Sequence, residues 1–209
     1  MAENTTHTYP AERLIAYSDA IFSIVVTLLV LEIRLPEHSE HGVLNDLFQE
    51  WPSILSFLIS FFIVTVVWMN HHEMFHHIKR VDYRLIVLNT LLMLNVVLIP
   101  LVSSILGRHL LEDQPELINA ACIYGLWIAI GGIPFNLLWS YASKQPHLLK
   151  EDADPEALQR LGHHYWRGPL LYFLAALLSL FNQWLAVIGY VALLGLYFVP
   201  ASLWMYKKK

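Results

Sequence analysis

The stretch Arg13-Leu14-Ile15-Ala16-Tyr17-Ser18-Asp19-Ala20-Ile21-Phe22-Ser23-Ile24-Val25-Val26-Thr27-Leu28-Leu29-Val30-Leu31-Glu32 decides how this chain folds. Between its charged ends, Asp19 is the only charged side chain. About 20 mostly apolar residues, wound as a helix, span the hydrocarbon of a bilayer, where every backbone polar group must be paired internally. The block runs into Glu32-Ile33-Arg34 with no small-residue cleavage site, so it reads as a retained span and not as a removable signal peptide.

The rest of the chain repeats the pattern. Of its 209 residues 56% are hydrophobic and 14% charged, where soluble proteins average about 25% charged. The mean hydropathy is +0.49. That composition excludes a soluble enzyme, and the net charge of -4 offers no basic field for nucleic acid. The single Cys122 excludes an internal disulfide framework. Apolar windows fall near 14–33, 51–70, 85–107, 117–141, 169–183 and 185–206, which predicts an all-α polytopic protein with six transmembrane helices forming one domain over 1–209.

Basic residues give the orientation. With both termini cytoplasmic, Arg13, Lys79, Arg80, Arg84, Lys144, Lys150, Arg160, Arg167 and Lys207 to Lys209 lie inside. Of the 13 Lys and Arg residues only Arg34 and Arg108 then face out, beside the acids Glu32, Glu37, Glu40, Asp46, Glu112, Asp113 and Glu116. The expected loops are an outer loop 35–50, an inner turn 77–84 and an outer loop 108–116. In the inner segment 143–167, Asp154-Pro155-Glu156 reads as a cap, a first helical position and a favourable acid. That predicts a short interfacial helix near 155–166.

Ionisable groups within spans are the informative ones, since each costs about 2.5 kcal/mol or more unless buried against protein or water. Asp19 lies roughly 9 Å into the first helix and about 120° from Arg13, so these two do not share a face. The second span runs the other way and reaches the same depth near Trp68, Asn70 and His71. A network of Ser18, Asp19, Trp68, Asn70 and His71 either fixes helix packing or takes part in chemistry, and depth leaves both open. Farther on, His72-Glu73-Met74-Phe75-His76 matches the H-E-x-x-H of zinc proteases. No strong acidic third ligand lies at comparable depth in a later span, so the His71 to His77 run reads as a pH-sensitive surface cluster or a site for adventitious metal. Asn89, Asn95, Asn119 and Asn136 read as interhelical hydrogen-bond formers, and Pro100, Pro134 and Pro200 as kinks.

The run Arg13-x-x-x-Tyr17-Ser18-Asp19, with Trp68-Met69-Asn70-His71 in the second helix, resembles the signature of the transmembrane protein 175 family of potassium channels. The first helix of that family carries Arg-x-x-x-Phe-Ser-Asp, so Tyr17 keeps the aromatic ring and adds a hydroxyl. The resemblance implies a potassium-selective channel in which four copies line one pore with their first helices, with potassium as permeant ion and no cofactor. It places the narrowest point at Ile24, with Leu28 and Leu31 following outward and Thr27 supplying a hydroxyl layer. The spacing 24, 28, 31 is independently that of one helical stripe, which by itself fits ordinary helix packing as well. The chain holds no Thr-Val-Gly-Tyr-Gly filter of backbone carbonyls. One set of six spans is similar to prokaryotic members, which implies a bacterial or archaeal plasma membrane. A proton-coupled cation transporter using Asp19 and the nearby histidines is the alternative, and an intramembrane metalloenzyme the third reading.

Overall fold

The computed structural model describes residues 7–34, 42–112 and 115–197. Helix α1 covers Glu12–Leu29 and tightens into a 3-10 turn, Val30–Glu32. Helix α2 is Val43–Gln49, α3 Trp51–His76, α4 Tyr83–Val97, α5 Ile99–His109, α6 Glu116–Ala142, α7 Pro155–Leu178 and α8 Gln183–Tyr197. Among the described residues, four stretches are long and apolar enough to cross a membrane: Glu12–Glu32, Trp51–His76, Tyr83–His109 and Glu116–Ala142. The residues Glu37, Glu40, Asp113, Pro200 and Lys207 to Lys209, and the end of the last expected window, lie outside the described residues.

A small collar ties together one end of the bundle, the end bearing Lys79 and Arg80. Strand β1, Tyr9–Pro10, pairs antiparallel with β2, Arg80–Val81. The Arg80 guanidinium donates to Thr8 Oγ1 at 2.6 Å and to Thr8 O at 2.8 Å. Lys79 N–H donates to Leu148 O at 2.8 Å, and Lys150 N–H to His77 O at 3.0 Å. The start of α1, the α3–α4 turn and the segment after α6 therefore share one end, as alternating spans require.

Several elements differ from the sequence reading. Residues 43–49, expected as part of the outer loop, form α2, and Asp46 within it is buried. The stretch near 155–166 is not a separate helix, since α7 continues from it through Pro169 to Leu178. Its start is as the sequence predicts: the Asp154 carboxylate caps it, accepting from Glu156 N–H at 3.0 Å, with Pro155 at the first position. The third window breaks between α4 and α5 because Pro100 has no N–H to continue the ladder. There Leu98 N–H and the Trp127 indole both donate to Asn95 O, each at 3.2 Å. Helix α6, by contrast, runs through Pro134 without a break.

Packing between apolar helices gains little from the hydrophobic effect in lipid and rests on close approach, which small residues allow. Gly125, Gly131 and Gly132 on α6 do this. A side chain at Gly132 would meet the Pro169 ring of α7, at Gly131 the Asn95 carboxamide, and at Gly125 the Tyr190 hydroxyl of α8. One core cluster joins Leu14, Phe22, Val25 and Leu29 of α1 to α3, α4 and α6. The other joins α3 and α5 to Tyr124, Tyr172 and Tyr190.

Candidate pore-lining helix and polar network

Helix α1 has two unlike faces. Leu14, Ser18, Phe22, Val25 and Leu29 are buried. The opposite face carries Arg13, Ala16, Tyr17, Ala20, Ser23, Ile24, Thr27, Leu28 and Leu31, all exposed in the single chain. Ile24 is 56% exposed, Leu28 44% and Leu31 64%. The stripe expected to line a pore is thus the face that the protomer leaves uncovered. Thr27 Oγ1 donates to Ile24 O at 2.8 Å and Ser23 Oγ to Asp19 O at 2.8 Å, so both hydroxyl hydrogens are held by the helix. Their oxygen lone pairs remain available as acceptors on that face.

On the buried face a directed chain of hydrogen bonds joins three helices. Ser18 Oγ donates to Leu14 O at 2.9 Å, so it accepts from Asn89 Nδ2, also at 2.9 Å. That orients the Asn89 amide and turns its Oδ1 to His71 Nε2 at 2.9 Å. His71 Nε2 is consequently the protonated nitrogen. Its Nδ1 has no partner, and a second proton there would meet no acceptor. Phe22 and Phe75 hold the ring in place, with centroids 5.4 and 4.5 Å away. At the margin of the free face, the Trp68 indole donates to Asp19 Oδ1 at 2.9 Å, a second tie between α1 and α3.

The expected network is therefore divided. Ser18 and His71 belong to one part, and Asp19 and Trp68 to another. Asn70 joins neither, because its amide donates to Val66 O at 2.9 Å on its own helix, and its backbone oxygen accepts from the Tyr165 hydroxyl at 3.4 Å. Arg13 and Tyr17 are exposed and have no hydrogen-bond or ion-pair partner among the described residues. The sequence reading missed Asn89 as the link between Ser18 and His71. The signal was present: Asn89 lies six residues past Tyr83 in a helix starting at the same end, the offset that Asp19 has from Arg13.

These elements coincide with a known family. The family profile described as "Endosomal/lysosomal potassium channel TMEM175" matches residues 13–100, which hold α1 from its second residue, α2, α3, α4 and the whole of both hydrogen-bond systems. A potassium channel of Chamaesiphon minutus is 38% identical over 194 residues, 91% of this chain and 94% of that protein. This chain belongs to the TMEM175 family. A potassium channel of Streptomyces collinus is 32% identical across 89% of this chain and 90% of its own length. The crystal structure of a lysosomal potassium-selective channel TMEM175 homolog from Chamaesiphon minutus superposes with a TM-score of 0.80 at 33% identity, covering 90% of this chain and 96% of that one. The mouse endosomal/lysosomal proton channel TMEM175 is 29% identical over 94% of this chain and 39% of that longer protein.

In this TMEM175 member the acids expected to face out do not gather into a cluster around Glu32 among the described residues. Glu32 lies 3.9 Å from Arg108 across the α1 and α5 ends. The H-E-x-x-H run does not assemble a metal centre: Glu73 pairs with His77 at 3.7 Å, and no group of three or more His, Cys, Asp or Glu side chains converges among the described residues. His77, just beyond α3, titrates below its ordinary value because burial disfavours its cation more than Glu73 favours it.

Proposed function

We propose that this TMEM175-family chain is a potassium channel whose conduction path is lined by the free face of α1, where four copies meet around one axis. The observation that carries the reading is the division of α1 into a face clamped to α3 and α4 and an uncovered stripe through Ile24, Leu28 and Leu31. A helix turned only to lipid would gain nothing from the small residues Ala16, Ala20, Ser23 and Thr27 on that stripe, whereas close approach of neighbouring copies needs them. The homologues named potassium channels supply the ion.

Four Ile24 side chains at the axis form a hydrophobic constriction, which conducts only when wide enough to stay wet. Thr27, one turn farther, presents hydroxyl oxygens whose hydrogens are already engaged, so they coordinate a partly dehydrated monovalent cation. The Ser18–Asn89–His71 chain and the Asp19–Trp68 bond hold the rotation of α1 and so keep the stripe on the axis. Helices α7 and α8 complete the set as fifth and sixth spans of a single domain. The chain sits in a prokaryotic plasma membrane with both termini in the cytoplasm. The family is one of channels, so the chain is no enzyme and uses no cofactor.

The test is ion flux from liposomes containing the purified protein, under potassium and then sodium gradients, for the parent, Ile24→Asn and Thr27→Ala. Uncoupled potassium-selective flux, with selectivity falling in both variants, is the expected result. Flux that is indifferent to position 24 overturns the pore assignment. One observation favours recording protons as well: vertebrate relatives are named proton channels. Flux that requires a proton gradient at a fixed ratio would replace the channel by a proton-coupled cation transporter centred on Asp19.

A further inference from the structure

Helix α7 changes character along a single stripe. At 100° per residue Arg160, His163, Arg167, Leu170, Leu174 and Leu178 fall within about 80° of arc. All six are exposed. The charges end abruptly, because after Arg167 the next charged residue in the chain is Lys207. Arg160 is already engaged, by Asp154 at 3.6 Å and Glu156 at 3.4 Å. Arg167 differs, with no hydrogen bond or ion pair among the described residues. Its charge acts on two side chains, His164 one turn back and Tyr197 of α8, whose rings lie 5.4 Å apart. Neither ring has a hydrogen-bond partner among the described residues, and both are partly exposed. The Tyr197 hydroxyl overhangs α7 next to Arg167, since a Cβ at Gly168 would stand 3.8 Å from it.

We infer that Arg167 and the Tyr197 hydroxyl bind the phosphate of an anionic phospholipid whose acyl chain lies along Leu170, Leu174 and Leu178. A guanidinium fork matches phosphate oxygens two at a time, and a phenol adds one more donor. Basic pockets between membrane helices hold anionic headgroups in this way. The level is set by Trp166, 51% exposed beside Arg167, as interfacial indoles are. From Leu170 to Leu178 the stripe runs about 12 Å into the apolar half of α7, along which a chain can lie. A soluble phosphate would leave those three leucines uncovered, so the stripe as a whole fits a lipid.

The experiment is native mass spectrometry of the delipidated full chain in detergent, titrated with phosphatidylglycerol or with phosphatidylcholine of the same acyl chains. The expected result is phosphatidylglycerol binding about tenfold tighter, because the choline of the second lipid already balances its phosphate. Arg167→Gln should remove that preference, and Tyr197→Phe should reduce it. Arg160→Gln should leave it unchanged, its guanidinium being held by two carboxylates. Both arginines are exposed, so neither replacement disturbs the core. Glycerol phosphate in large excess should not displace the lipid. Equal affinities for the two lipids, an equal loss from Arg160→Gln, or displacement by glycerol phosphate would overturn the site. Each of those outcomes leaves the channel reading standing, since the stripe lies on α7 and conduction is assigned to α1.

Discussion

Replacing Asn89 by leucine strips Ser18 of its donor and leaves His71 Nε2–H facing a methyl group. Ser18 keeps its own bond to Leu14 O, but the His71 Nε2–H is left as a buried donor without an acceptor, at about 1–3 kcal/mol in soluble proteins and toward the lower end in membranes. The expected outcome is a clear fall in the thermal midpoint of the detergent-solubilised protein, larger than that of Trp68→Phe, which removes one bond at a partly exposed margin. Equal losses would refute the ranking. His77 gives a prediction in pH. Its folded value lies below 6.5, so the folded and unfolded chains both carry it neutral well above that pH. As pH falls through 6.5 the unfolded chain takes up a proton that the folded chain resists, and stability declines. The midpoint difference between parent and His77→Gln should therefore shift against the parent between pH 8 and 5.5 and be flat above. At this scale much was legible. Buried polar side chains in an apolar run announce themselves, and depth matching brought Asp19 to the level of Trp68, Asn70 and His71, of which the structure joins it to Trp68. What depth could not supply is helix rotation, which gives His71 to Asn89 and turns its neighbour Asn70 away.

Helices α6 and α7 touch through Gly132 and Pro169, a proline inside a helix meeting the one side chain that has no Cβ. Overpacking at such a contact costs about 1–3 kcal/mol. Gly132→Ala should destabilise by that amount, and adding Pro169→Ala should recover part of it, a coupling that a double-mutant cycle measures. Additive losses would mean that the two residues act independently. Hydropathy windows located α1, α3, the α4–α5 pair and α6 well, because about 20 consecutive apolar residues have no soluble explanation. The window method failed on α7. Its first half is charged and its second apolar, so the composition changes in mid-helix while the backbone continues, and Asp154 with Pro155 marks the true start. It also passed over α2, whose Val43, Leu44, Leu47 and Phe48 are exposed in a segment too short to register.

For the whole molecule, the claim that four α1 helices meet can be tested by proximity. In a Cys122→Ser background, Ala20→Cys on the free face should give disulfide-linked subunits under mild oxidation, and Val25→Cys on the buried face should not. Cross-linking at both positions, or at neither, would place α1 elsewhere in the assembly. The sequence by itself determined that this chain is a membrane protein, where its main helices run, and that α1 and α3 carry the polar residues of interest, because lipid penalises charge and unpaired backbone so heavily that composition alone reports them. It also placed Ile24, Leu28 and Leu31 on one stripe, since 3.6 residues per turn is a property of the helix and not of the fold. Only the tertiary structure decided which face of α1 is buried, that Asn89 joins Ser18 to His71, and that the Asn136 amide donates to Gly132 O and Tyr165 O. Those outcomes depend on how each helix is rotated about its own axis, and the rotation is set jointly by glycine-mediated approach and hydrogen bonds from several helices at once.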